Sequence, residues 1–492
     1  MLSVTDDEPP RPPERLNFAS YVLGAGPPDK IAVAVLGPSR AERWSFEALR
    51  RAVSGTASGL LAAGLVPGER VLIRLANTVD FPIAHLGAAW AGLVPVPTAP
   101  GLTQPEVDAL ASELGPAVTL AADGLTCPSG TPVIGLDALR AFRGLAGVPP
   151  ADTRAGEPAY IVYTSGTSGR PRGVVHAHRA VWARRMMHAG WYGIGPSDRL
   201  LHAGAFNWTY TLGTGVLDPL SVGATALIPA KGTEAAQLPL LMRRHGATIF
   251  AAAPGIYRRL LRGRASLQLP ELRHGLSAGE KMPDGLAEAW RAATGRGVHE
   301  AYGMTECSTF VSGSPDRPAP AGTTGYAQPG RRIALLGPDG PVPRGAAGTI
   351  AVHRSDPGLM LGYWDAPAET EARFEGDWFV TGDVAVMAED GAITYLGRDD
   401  DMINAGGIRI SPLEIERAFE GIATACAATE RAVGDGVSVI ALAYEGEADE
   451  AALRARAEAS LAPHKRPRIY ERREIPRSGN GKLNRRALRS AP

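Results

Sequence analysis

The sequence is poor in the features that would announce a disulfide scaffold, a membrane span or a nucleic-acid binder. It has three cysteines, and Cys127, Cys307 and Cys426 stand far apart with no metal-ligand spacing. That pattern argues against a disulfide framework and fits a reducing, cytoplasmic setting. It lacks any run of about 18 apolar residues, and its most apolar stretch, "AHLGAAWAGLVPVP", is broken by two prolines. No membrane partner is therefore expected. It lacks net charge, with 51 basic against 51 acidic residues, so no global basic field attracts nucleic acid or acidic lipid. The opening "MLSVTDDEPPRPPERL" has no apolar signal core, and residues 1–16 are expected to form a flexible tail.

What is present is apolar and periodic. A chain of 492 residues that is 45% apolar can build two to four domains with large cores. "IAVAVLG" (31–37), "RVLIRLA" (70–76) and "AVTLAAD" (117–123) read as strands, and "SFEALRRAVSGTASGLLAAG" reads as a helix starting near Ser45. "YIVYT" (160–164) reads as a strand, followed after a glycine-rich loop by the helix "AHRAVWARRMMHAG"; "GATALIPA", "ATIFAAAP" and "GVHEAYG" continue the alternation. The pattern predicts α/β layers around mostly parallel sheets. From about 330, short strands between Gly and Pro turns predict a small antiparallel barrel or sheet, with a hairpin around "EDG" (389–391). After "GRDDDM", the helix start "SPLEIERAFEG" has Ser411 as cap, Pro412 at the first helical position and Glu414 placed to complete a capping box. The expected fold is α/β with several subdomains. An N-terminal domain spans 17–397, with 330–397 as its β-rich part. A hinge at 398–401 leads to a small mobile α/β domain over 402–492.

The stretch "YTSGTSGRPRG" (163–173) is not a phosphate loop of the Gly-Lys-Ser/Thr type, yet it holds the parts of an anion cradle. Gly166, Gly169 and Gly173 let backbone N–H groups approach an anion. Thr164, Ser165, Thr167 and Ser168 supply hydroxyls, and Arg170 and Arg172 supply charge. Alone, it reads equally as a polar surface turn. Four further stretches decide: "AYGMTE" (301–306), "VTGD" (380–383), "YLGRDDDMINAGGIRISPLEIE" (395–416) and "PRSGNGKLNRRAL" (476–488).

In this order and spacing the five stretches resemble the adenylate-forming superfamily of acyl- and aryl-CoA synthetases, adenylation domains and luciferases, over nearly the whole chain. "LNFASYVL" and "SVGATALI" (221–228) are similar to the benzoate–CoA ligase branch. The resemblance implies a two-step reaction. A carboxylate attacks the α-phosphate of ATP and releases pyrophosphate; a thiol then displaces AMP. The first step drives one anion onto another, so cations, backbone N–H groups and Mg²⁺ are needed to offset charge. The resemblance places Thr164, Ser165, Gly166, Thr167, Ser168 and Gly169 on the β- and γ-phosphates, with Arg172 where the family commonly has Lys. It places Tyr302 on the adenine face, Thr305 on the α-phosphate and Glu306 on Mg²⁺. Gly279 and Glu280 of "SAGE", and Gly303, line the nucleotide site. Asp383 takes both ribose hydroxyls and Arg398 the ribose or phosphate. Asp400 is the hinge, and Lys482 touches carboxylate and α-phosphate during adenylation. Gly406 and Gly407, with Arg409 and Arg466, belong to the CoA path.

"HAGAFNWTYTLGTG" (202–215) matches the family's acid-binding segment, giving Asn207, Trp208 and Tyr210 as acyl-pocket candidates with Ala252, Gly279 and Gly303 beside them. Aromatic walls suit a flat or cyclic acid. His202 is expected to be a satisfied core histidine, and His176 and His178 are not expected to hold a metal. The function expected is an ATP-dependent carboxylate–CoA ligase acting on an aromatic or cyclic acid, with ATP/AMP, Mg²⁺ and coenzyme A, as a monomer or homodimer. The alternatives are adenylation for a separate carrier protein or other acceptor, a short- or medium-chain acyl-CoA synthetase, or a nucleotide sensor that keeps only the fold.

Overall fold

Short Val/Ile/Leu runs build the largest sheet in the computed structural model, which describes residues 1–37, 39–164, 172–405, 408–434, 437–477 and 483–489. Nine strands run in the order Tyr326–Ala327, Ser308–Ser312, Val298–Met304, His274–Ala278, Ile249–Ala251, Arg199–His202, Thr225–Pro229, Ile31–Leu36 and Ala41–Ser45. The strands from Val298–Met304 through Ile31–Leu36 pair in parallel, as expected. A parallel sheet must be covered on both faces. On one face Leu200, Ile249 and Leu276 pack with Trp191 and Tyr210; on the other Leu201, Phe250 and Ala252 pack with Tyr257 and Trp290.

A second parallel sheet joins Val94–Pro97, Arg70–Arg74, Val118–Ala121 and Val133–Gly135. Helices Phe46–Ala62 and Asp80–Trp90 share one apolar cluster with strands of both sheets. Ser45 caps the first helix by accepting the Ala48 N–H. Strands Pro158–Thr164 and Arg172–Ala177 are antiparallel, with Thr164 opposite Arg172. The glycine-rich stretch therefore joins two antiparallel strands, not a strand and a helix. The expected helix follows only afterwards, and it breaks into His178–Ala183, Arg185–Met187 and the π-helical turn His188–Tyr192.

The antiparallel part forms as expected, from Gly340–Pro341, Ile333–Gly337, Ala347–His353, Trp378–Met387 and Phe374–Glu375, with Ile393–Arg398 on Trp378–Met387. Residues 1–5 are not loose. Leu2 bridges Pro343 and Val4 bridges Ala334, and the Ile333 N–H donates to Thr5 Oγ1 at 2.8 Å. Beyond Met402, strands Ala425–Gly434, Val437–Glu445 and Ile469–Arg472 and helices Pro412–Ala418 and Glu450–Ser460 enclose a core of their own around Ile415, Phe419, Leu442 and Leu453. Ser411 caps the first of these helices. Glu414 closes no capping box, because its carboxylate turns to Lys465. Among the described residues no helix is long and apolar enough to cross a membrane.

Candidate active site

A cavity of about 850 Å³ opens where the large sheet, the antiparallel sheet and the C-terminal part meet. Asp383 is its most constrained acid. It stands directly opposite Arg398 on paired strands. Tyr302 Oη donates to Asp383 Oδ2 at 2.6 Å and Tyr395 Oη to Oδ1 at 3.2 Å, while Arg398 Nη1 lies 3.8 Å from Oδ1. The two phenol rings stack with centroids 5.2 Å apart. Burial pushes Asp383 above the usual carboxylate range, and Arg398 and the two phenols pull it back. The result is a fixed acceptor beside a flat aromatic surface.

Glu306 is buried on the same cavity wall. Tyr363 Oη donates to its Oε1 at 2.8 Å. The Thr305 carbonyl accepts the His176 Nε2 hydrogen at 2.8 Å, and burial lowers His176 to about 4, keeping the ring neutral. Arg172 faces the cavity but is held fork to fork by Glu369, with Nε–Oε2 2.6 Å and Nη2–Oε1 2.7 Å. Arg373 adds a cation to the lining. The loop 279–281 is set by the Lys281–Glu300 pair at 2.6 Å. Gly279 has φ +91°, and a Cβ there would meet Trp208 at 2.6 Å; a Cβ on Gly303 would stand 2.2 Å from the Ser308 carbonyl oxygen. Both positions require glycine.

The structure thus gathers Thr164, Arg172, Gly279, Glu280, Tyr302, Gly303, Thr305, Glu306, Asp383 and Arg398 around one cavity. Ser165, Gly166, Thr167, Ser168, Gly169, Gly406, Gly407, Lys482 and the Arg409 side chain lie outside the described residues, but Arg477 and Leu483, on either side of 478–482, line the cavity. Arg466 is not brought there; it donates to the Leu461 and Glu458 carbonyls. Asp400 sits in the 3₁₀ turn Asp399–Asp401, where Arg398 Nε meets its Oδ1 at 3.1 Å.

In the stretch 202–215, expected to meet the acid, Trp208 meets Tyr210 edge to face, 5.3 Å between centroids. Tyr210 is buried and donates to the Leu276 carbonyl at 3.3 Å; Asn207 is half-buried beside them. Ala252 does not join this group, because strand alternation turns it to the opposite face, beside Tyr257. His202 is buried but not satisfied: among the described residues neither ring nitrogen has a hydrogen-bond partner. His178 Nδ1 accepts the Phe18 N–H at 3.2 Å. Sequence reasoning missed Tyr363, Glu369 and Tyr395. The last lies inside the "YLGR" stretch, which offered a signal; the first two carry no local mark.

The AMP-binding enzyme family model matches residues 23–364. The chain is 30% identical to a benzoate–CoA ligase of Thauera aromatica, with 100% of this chain and 99% of that protein covered. It is 30% identical to a 4-hydroxybenzoate–CoA/benzoate–CoA ligase of Rhodopseudomonas palustris, over 93% and 90% of the two chains. The crystal structure of ATP-bound MatB from Rhodopseudomonas palustris superposes with a TM-score of 0.87 at 26% identity, covering 96% of this chain and 98% of that one.

Proposed function

The chain belongs to the AMP-binding enzyme family, and from that premise we propose how its residues divide the work of an AMP-forming acid–CoA ligase. ATP and CoA are the co-substrates; a carboxylate is activated as its adenylate and then transferred to the thiol. The acid is aromatic, a reading supported by the Trp208–Tyr210 wall and by relatives named for benzoate and hydroxybenzoate. Asp383 holds the ribose hydroxyls, with the Tyr302–Tyr395 stack as the flat surface for adenine. Arg172, Arg373 and the backbone of 164–172 meet the phosphates. Glu306 would hold Mg²⁺, a cation bound through one or two carboxylates plus phosphate oxygens, which would supply positive charge to offset that of the phosphates. Three free cysteines are consistent with a reducing, cytoplasmic compartment.

The observation that carries this reading is the convergence of Asp383, Arg398, Glu306 and Arg172 with Arg477 and Leu483 on a single cavity. In the sequence the last two border the segment that contains Lys482, the residue to which we assign contact with carboxylate and α-phosphate during adenylation. The part beyond Met402, with its own core, is the mobile domain. The test is a panel of aromatic and aliphatic acids with ATP, Mg²⁺ and CoA, reading pyrophosphate and thioester separately. Both products are expected with aromatic acids. Pyrophosphate without thioester would point to another acceptor, and neither product with any acid would refute the assignment.

A further inference from the structure

The part beyond Met402 is registered on the rest of the chain by polar contacts. Its apolar clusters, around Ile415 and Leu442 and around Ala427 and Ile475, include no residue before Ile403. A large apolar interface would hold the two parts together too firmly for one of them to turn. Away from the turn Asp399–Asp401, half-buried side chains of one short stretch reach across. Arg417, in the last turn of the helix Pro412–Ala418, donates from Nη2 to the Gly322 carbonyl at 3.1 Å. Glu420 follows three residues later, and its Oε2 accepts the Gly285 N–H at 3.4 Å, long for such a bond.

Both contacts land on segments that run into the wall of the 850 Å³ cavity. Gly285 is the second residue of the helix Asp284–Thr294, whose cap position, Pro283, offers no side chain to the N–H groups of the first turn. Those groups carry the positive end of the helix dipole, so Glu420 acts as a cap supplied from the other part of the molecule. Asp284 opposes the Glu420 carboxylate, while Arg417 and Lys281 attract it; the contact is balanced closely enough to break and re-form. Gly322 lies in a turn closed by the Thr323 N–H on the Pro320 carbonyl at 3.0 Å. Lys281 reaches the same turn at the Thr323 carbonyl, 3.5 Å away, while it pairs with Glu300 at 2.6 Å. Lys281, Glu300 and Thr324 line the cavity. The helix Pro412–Ala418 also carries Glu416, whose two oxygens lie 2.6 and 2.7 Å from Arg485 Nη2. Leu413, Glu416 and Arg485 line the same cavity, and Leu483, two residues before Arg485, bridges Arg477. One helix thus ties the cavity wall near 281–285 and 322–324 to the residues that flank 478–482.

Resting on the ligase reading above, we propose that Arg417 and Glu420 are positioning residues, a latch that holds the part beyond Met402 in the pose that serves adenylation and lets go for thioester formation. Neither lines the cavity, so removing either acts on the pose and not on contacts to ATP. The test takes the acid turned over fastest in the panel above. Single turnovers of the full-length enzyme time pyrophosphate release from acid and ATP, and separately thioester formation from the supplied acyl-adenylate and CoA. Arg417→Ala and Glu420→Ala should each slow pyrophosphate release about fivefold and leave thioester formation unchanged or faster. Arg417→Lys still donates to a carbonyl and Glu420→Gln still accepts an N–H, so both should keep most of the rate. Should Arg417→Ala misfold, Glu420→Ala carries the test, and its thioester rate reports that the chain is folded. Equal slowing of both half-reactions, slowing of thioester formation alone, or an unchanged pyrophosphate rate in the double variant would overturn this inference and leave the ligase reading standing. No pyrophosphate from the wild-type enzyme with any acid would overturn both.

Discussion

Arg172 and Glu369 meet fork to fork at the cavity edge, and the pair sets what ATP must compete with. Arg172 is one-quarter exposed and Glu369 about half exposed, and an ion pair so open to water contributes only about 0–1 kcal/mol. A triphosphate can therefore take over the guanidinium without a large penalty. Lys in its place would keep the charge but lose the bidentate geometry. Arg172→Lys should keep most adenylation activity, Arg172→Ala should raise KM for ATP about tenfold, and Glu369→Gln should lower that KM. Pyrophosphate-release kinetics against ATP concentration measure all three. An unchanged KM in Arg172→Ala would remove this residue from the phosphate contacts. At this scale the sequence was legible wherever a residue sits in a short motif: Asp383, Tyr302, Glu306 and Arg398 could all be located in advance. Their partners could not. Glu369 is 197 residues from Arg172 and Tyr363 is 57 from Glu306. A contact between distant parts of a chain leaves no local pattern, and Tyr363 lies in a stretch, "GYW", that reads equally as core.

Among the elements, those with strong apolar runs were the readable ones. Strands Ile31–Leu36, Arg70–Arg74 and Val118–Ala121 fall where their runs place them. The errors have physical causes. Arg172–Ala177 was not read as a strand, because the sequence reading ran from the glycine-rich loop straight to the helix, while the chain instead turns back and pairs antiparallel with Pro158–Thr164. Residues 1–5 looked too polar to order, yet backbone pairing with the strand Ile333–Gly337 and with Val342 does not depend on side-chain apolarity. The turn Asp399–Asp401 bears the prediction at this scale. It is bracketed by extended residues, Arg398 at ψ 147° and Met402 at ψ 138°, so a few torsions here can redirect everything that follows. Proline at position 400 would disfavour the helical region at Asp399, which the present 3₁₀ turn uses. Asp400→Pro should therefore slow pyrophosphate release more than thioester formation from a supplied acyl-adenylate. Single-turnover measurement of both half-reactions in one variant decides it. Equal effects on the two would leave the turn without a hinge role.

For the molecule as a whole, burial of histidine dominates the response to acid. The chain has ten histidines, and six are pushed far below their ordinary value of about 6.5. His85 and His202 fall to about 3, and His176, His178, His274 and His299 to about 4, in each case with burial as the first cause. No apolar periodicity revealed this, because His counts as polar in any pattern. Between these depressed values and 6.5 the unfolded chain binds protons that the folded one refuses. The stability these rings contribute is complete above about pH 6.5 and is lost as pH falls toward 4. Each fully engaged ring contributes a slope of about 1.4 kcal/mol per pH unit. Four carboxylates oppose them. Burial raises Glu300, Asp383, Glu416 and Glu420, so their contribution is complete below the ordinary carboxylate range and is lost as pH rises through their raised values. They soften the loss at the acid end, but the six histidines outnumber these four carboxylates. The denaturant midpoint should therefore be level from about pH 8 to 7 and fall steeply between about pH 6.5 and 5. Proton uptake on unfolding, taken from the slope of stability against pH, should reach several protons near pH 5. A midpoint independent of pH across that interval would mean that these imidazoles are not held neutral, and with them would go the uncharged state assigned to His176.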